Sequence, residues 1–142
     1  MAGLSNNKET GVLGVLLGNA ALDTVTGNYI ALCSQDPGDT AAGAVTAAIP
    51  VTRQSVTVGS GWTIGTDGSN PDYTSAVNTQ DIVYNMAAAG GPGTVTHFAV
   101  WSTVSGTTEA EYICSGTVTP NKAFTTSDQL KFSAGNLKVR IN

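Results

Sequence analysis

Side chains that carry out covalent or acid–base chemistry are scarce in this sequence. Its 142 residues include one histidine, His97, and two cysteines, Cys33 and Cys114. A Ser-His-Asp or Cys-His site would have to use His97. That residue stands in the middle of VTHFAVWST, which reads as a strand rather than as one of the loops that more often display reactive groups. Cys33 and Cys114 form no CxxC pair and have no neighbouring histidine, so neither zinc nor redox spacing is present. Each lies in an apolar run where a small hydrophobe packs, and we expect two buried free thiols; a disulfide would require the two pleats to face each other. Catalysis by paired carboxylates needs two acids within reach. Glu109 and Glu111 at a hairpin, and Asp36 and Asp39 in a turn, read instead as solvated loop charges. No enzymatic activity and no cofactor is expected.

Positive charge is equally thin. Six Lys and Arg against ten Asp and Glu leave a net charge of -4, and the cations Lys8, Arg53, Lys122, Lys131, Lys138 and Arg140 are scattered along the chain. With no basic stripe to neutralise phosphates, neither nucleic acid nor an anionic membrane is expected as a partner. Charged residues make up 11% of the chain, against about 25% in an ordinary soluble domain, so the exposed surface must be largely Thr, Ser, Asn and Gly. The late cluster of Lys138 and Arg140 would either meet an acidic patch on a partner or form the solvated face of a strand. Asp67, Asp72 and Asp81 match no EF-hand spacing, and turn chemistry accounts for them without a metal ion.

Long apolar runs are missing too. GVLGVLLGNAAL falls short of the roughly 20 residues that span a bilayer. Before it, MAGLSNNKET sets Lys8 against Glu9, so a secretion signal is not expected and synthesis in the cytoplasm is. The glycine-rich AAAGGPG of residues 87–93 lacks a following Lys and Ser or Thr, and Pro92 removes an amide that a phosphate-cradling loop would use.

What remains is architecture. Residues 5–18 predict a short helix capped by Ser5 or Asn6, with Glu9 three residues after Asn6 as in a capping box and Gly18 at its end. Val12, Leu13, Leu16 and Leu17 share a face, while Gly11 and Gly14 each cost about 1 kcal/mol relative to Ala, so the helix must dock on its own sheet or on another subunit. From residue 28 onward the pattern is strands. NYIALCSQ is apolar on both sides, as in a strand covered on both faces, and DPGD breaks it. TAAGAVTAA predicts a loop returning to a strand near Val51, VTRQSVTV an alternating strand, and a short run follows around Trp62. GTDGSNPD, residues 65–72, predicts a surface crossing between sheets, and TQDIVYNM another strand. VTHFAVWST and EYICSGTV predict a hairpin, and QLKF and LKVRI are joined by the turn SAGN. Seven or eight short strands at regular spacing predict a mainly β, two-sheet sandwich of the jelly-roll type, spanning 1–142 as one domain with a helical segment at 1–20 and the sandwich over 28–142. An immunoglobulin-like sandwich is disfavoured because Cys33, Trp62 and Cys114 lack the strand context and tyrosine corner of that fold. Trp62 or Tyr73, if exposed, would be the place to stack a sugar.

The order of the runs, YIALCSQDPGD, then a strand with Arg53, then VTHFAVW, then EYICSGTVTPNKAFTTSDQLKFSAGNLKVRIN, resembles a family of small bacteriophage virion proteins labelled head-decoration or tail-fibre proteins. The resemblance covers most of the chain, which departs from it with a longer stretch around 59–78. Among such proteins the chain is similar to the capsid cement proteins of short-tailed phages. That likeness implies a jelly roll on the capsid surface of the virion that clamps neighbouring major capsid subunits and self-associates, as a homodimer or a trimer. The alternative is a tail-associated receptor- or carbohydrate-binding module. Partner contacts are expected on the N-terminal segment (Leu4, Leu13, Leu17), the loop at Asp36 and Pro37, the hairpin tip (Thr107, Glu109) and the last strand (Lys138, Arg140).

Overall fold

Ser5 begins the first helix. In the computed structural model, which describes residues 4–18 and 25–141 and only the backbone of 70–72 and 141, Ser5 is extended and its hydroxyl oxygen accepts the Lys8 amide at 3.4 Å, capping α1 (Asn6–Leu16). Glu9 donates its amide to the Ser5 carbonyl, so the cap belongs to Ser5 and the expected Asn6–Glu9 box is replaced by it. Gly18, at φ +74°, ends the helix by donating to the Val15 carbonyl. No residue of α1 is buried, and Leu13, Leu16 and Leu17 are 57%, 75% and 67% exposed. Docking on its own sheet, one of the two outcomes expected, therefore does not occur. Residues 1–3, 19 and 20 of the expected helical segment lie outside the described residues.

The protein is mainly β, with the short N-terminal helix that the sequence predicts. Among the described residues the chain runs through β1 (Asn28–Cys33), α2 (Ala41–Ala47), β2 (Gln54–Val56), β3 (Trp62–Asp67), β4 (Asn70–Asn78), β5 (Ile82–Asn85), β6 (Gly93–Trp101), β7 (Tyr112–Phe124), β8 (Gln129–Phe132) and β9 (Lys138–Ile141). All pairings are antiparallel, in a four-stranded sheet β2-β1-β6-β7, a three-stranded sheet β3-β4-β9 and a pair β5-β8. One core joins the three: Ile30, Leu32, Val56, Phe98 and Val100 from the first, Val139 from the second, and Ile82, Tyr84 and Phe132 from the third. The layers thus pack as a sandwich whose second layer is split.

Both faces of β1 are covered, as its pattern requires. Ile30 and Leu32 enter the main core, whereas Ala31 and Cys33 meet α2 in a second cluster with Ala99, Trp101 and Tyr112. The stretch 40–48 is a helix rather than the expected loop. Thr40 accepts the Gly43 amide at 3.2 Å as its N-cap, and Ala41, Ala44 and Ala47 face the sheet. Small residues here signal close helix–sheet packing, not a lack of structure, and alanine has the highest helix propensity of all. Cys33 and Cys114 are free and buried in different clusters; burial pushes both thiols up to about 12.

Two further expectations change, and β6 adds a slip in register. Residues 65–72 form the hairpin between β3 and β4, turning at Gly68–Ser69 within one sheet, because Asp67 accepts the Ser69 amide at 2.8 Å in an Asx turn. SAGN joins β8 to β9 but carries the chain between sheets, the role expected of 65–72. The strand after the 41–47 helix is only Gln54–Val56, starting later than Val51. In β6 the register slips between Val95 and His97. Val95 consequently joins the main core with Phe98 and Val100, while Ala99 and Trp101 face α2.

Candidate functional site

A cavity of about 490 Å³ opens on the three-stranded sheet where it meets β7. It is lined by Tyr73 on β4, Thr117 and Thr119 on β7, Gly135 and Asn136 in the β8–β9 crossing, and Lys138 and Arg140 on β9. Strand periodicity explains the set. Thr117 and Thr119, and likewise Lys138 and Arg140, are two residues apart and project from one face. The alternate residues Val118, Leu137 and Val139 go to the core.

The two cations are organised from beneath by Asp67. Its carboxylate is fully buried, accepting from Lys138 Nζ at 3.4 Å and from Arg140 Nε. The Ser69 amide and the Arg140 guanidinium hold its carboxyl far below the usual carboxylate range. A buried charge is tolerated only when paired in this way. Arg140 is engaged through Nε, so its terminal Nη pair makes no hydrogen bond to a described residue. Asp67 carries one negative charge against two positive ones, and the described lining of the cavity has no carboxylate.

The other expected contact residues lie elsewhere, and most come together. Ser5 and Asn6 at the base of α1 donate their amides to the Ile113 and Asp39 carbonyls, Tyr112 Oη donates to the Gly38 carbonyl at 2.8 Å, and Glu109 Oε1 accepts the Ala41 amide at 2.9 Å. The N-terminal segment, the 36–40 loop and the β6–β7 hairpin tip therefore form one continuous end of the molecule. Leu4 is half-buried there, bridging to Cys114, and Pro37 is buried beside exposed Asp36. Thr107 is exposed, its amide donated to Glu111, and Leu13 and Leu17 stand clear on α1. At the same end Arg53 lies 4.2 Å from the Trp101 ring and donates to the Thr103 and Gly106 carbonyls, tying β2 to the hairpin. His97 is half-buried with Nδ1 2.9 Å from Thr96 Oγ1.

Of the two aromatic candidates, Trp62 is spent on the core, stacked on Phe98 at 6.4 Å and 19°, while Tyr73 lines the cavity. Asp67, Thr117, Thr119 and Asn136 were not legible as site residues. Asp67 and its partners are 71 and 73 residues apart, and only the pairing of β4 with β9 brings them together. Asp81, weighed with Asp67 and Asp72 as a metal ligand, is held by Lys131 and the Ala134 amide on the β5-β8 side; the Asp72 side chain lies outside the described residues. Among the described residues no three His, Cys, Asp or Glu side chains gather as a metal site would require.

A family model described as podophage GP4 fiber I protein gp80 matches residues 3–140. The chain belongs to that phage fibre family. It is accordingly a bacteriophage structural protein of the virion, and the coarse reading of the run order holds. No curated protein matches the sequence. The family description names a fibre protein and not a capsid cement, and so fits the tail-associated alternative better.

Proposed function

We propose that the protein is a tail-associated fibre component that binds a receptor on the host surface. The fibre family match over nearly the whole chain carries this reading. The polar cavity with Tyr73, Lys138 and Arg140 supports it, since a few convergent polar groups and one aromatic plane in a concave site suit a small ligand better than the flat contact of a capsid clamp. In this reading the end built from α1, the 36–40 loop and the hairpin tip faces other virion proteins, and the cavity faces outward. No reaction is proposed.

Purified protein, fluorescently labelled, is added separately to host cells and to phage heads lacking it. Saturable retention on cells with none on heads is the expected result. Stoichiometric binding to heads with raised heat tolerance, and none to cells, would overturn the reading in favour of capsid cementing, the role in which many copies each add interface to the shell.

A further inference from the structure

The geometry points to the cavity between β4, β7 and β9 as a site for an acidic saccharide, a sugar ring bearing a carboxylate or a phosphate. This rests on the receptor-binding reading and deepens it by naming the chemical class of the ligand. At about 490 Å³ the cavity lies within the range of roughly 300–1,000 Å³ common to small-molecule sites. Its two cations are pre-positioned by a carboxylate that a ligand cannot reach, because Asp67 is 0% exposed whereas Lys138 and Arg140 are 32% and 47% exposed. Among the described residues one unit of positive charge is thus left over at a fixed place. Asp67 uses Nε, and the planar Nη pair of Arg140, which has no hydrogen bond to a described residue, has the geometry of the two-pronged contact that guanidinium makes with a carboxylate or phosphate.

The rest of the lining supplies what a sugar ring needs. Tyr73 offers a flat apolar face with a polar tip. Thr117, Thr119 and the Asn136 amide offer both donors and acceptors, matching hydroxyl groups that are donors and acceptors themselves. A free inorganic anion would use the cations and leave the tyrosine and threonines idle. An acidic peptide would use the cations without needing the hydroxyls.

The test is titration calorimetry of the full chain, at low and moderate salt, with six probes. These are a galacturonate trisaccharide, a mannose 6-phosphate disaccharide, their neutral parent sugars, inorganic phosphate and a hexaglutamate peptide. At least one acidic sugar is expected to bind saturably and more weakly as salt rises, with its neutral parent about tenfold weaker or worse. Arg140→Gln and Tyr73→Ala should each weaken it about tenfold. Asp67→Asn should weaken it as well, because both cations lose the carboxylate that holds them in place, and the circular dichroism of each variant is compared with the parent's so that misfolding is not mistaken for lost binding. Equal binding of neutral and acidic sugars, binding of phosphate or peptide alone, binding of no probe, or indifference to all three substitutions would overturn the proposal. The two readings also separate on cells. If the parent protein and Arg140→Gln bind cells equally well, this site falls while receptor binding stands; if neither binds cells, the receptor reading falls.

Discussion

Glu111 shows how one carboxylate organises a turn. Its Oε2 accepts from the Thr108 hydroxyl at 2.7 Å and from the amides of Thr107 and Thr108 at 3.1 Å, and its Oε1 accepts from the Thr103 hydroxyl at 3.0 Å. These bonds, the Thr108 hydroxyl foremost, lower its carboxyl from 4.5 to about 2. A depressed folded-state value means that the contribution is fully present above about pH 4.5 and is lost as the pH falls towards 2. Asp67 acts in the same direction. Urea unfolding measured stepwise from neutral pH down to about pH 2 should show stability falling through that window. Glu111→Gln should be less stable than the parent at neutral pH and flatter below; an unchanged acid slope would refute the assignment. Glu111 had read as a solvated loop charge, although Thr108-x-x-Glu111 has the spacing of a side chain that reaches back to its own turn. Asp67 offered no such local signal, because its partners lie on a distant strand.

Among the elements, strands were legible and the second helix was not. Alternation marked β8 and β9 because each presents one face to the core, and apolar runs marked β6 and β7, which contribute to both clusters, whereas the alanines of α2 carry no periodic contrast between large apolar and polar residues. Close approach has its own demands in β7. A Cβ on Gly116 would stand 2.6 Å from the Lys138 carbonyl and would strike the Phe98 ring, so only glycine lets β7 lie against β9 there. Gly116→Ala should cost on the order of 1–3 kcal/mol, read as a lower denaturant midpoint. The opposite result is expected on α1. Since Leu13 and Leu16 are 57% and 75% exposed, the pair Leu13→Ser and Leu16→Ser should leave unfolding free energy within about 0.5 kcal/mol of the parent. A larger loss would mean that the helix packs on something in the isolated protein. The leucine spacing announced a helix face correctly, but burial depends on a neighbour that spacing does not describe.

Over the whole molecule, the sandwich class followed from the count and spacing of strands, while the partition into sheets did not. Pairings such as β1 with β6, β4 with β9 and β5 with β8 join segments far apart in sequence, and short strands of similar pattern leave such choices open. The same distances impose an order in time. Asp67 is synthesised long before Lys138 and Arg140, so while the chain emerges from the ribosome its carboxylate has no counter-charge and must stay hydrated. The β3–β4 hairpin therefore keeps one edge unpaired until residues 138–141 arrive. Closure of that sheet and completion of the cavity are thus one event, because the strand that covers the open edge of β4 is also the one that brings Lys138 and Arg140 to Asp67.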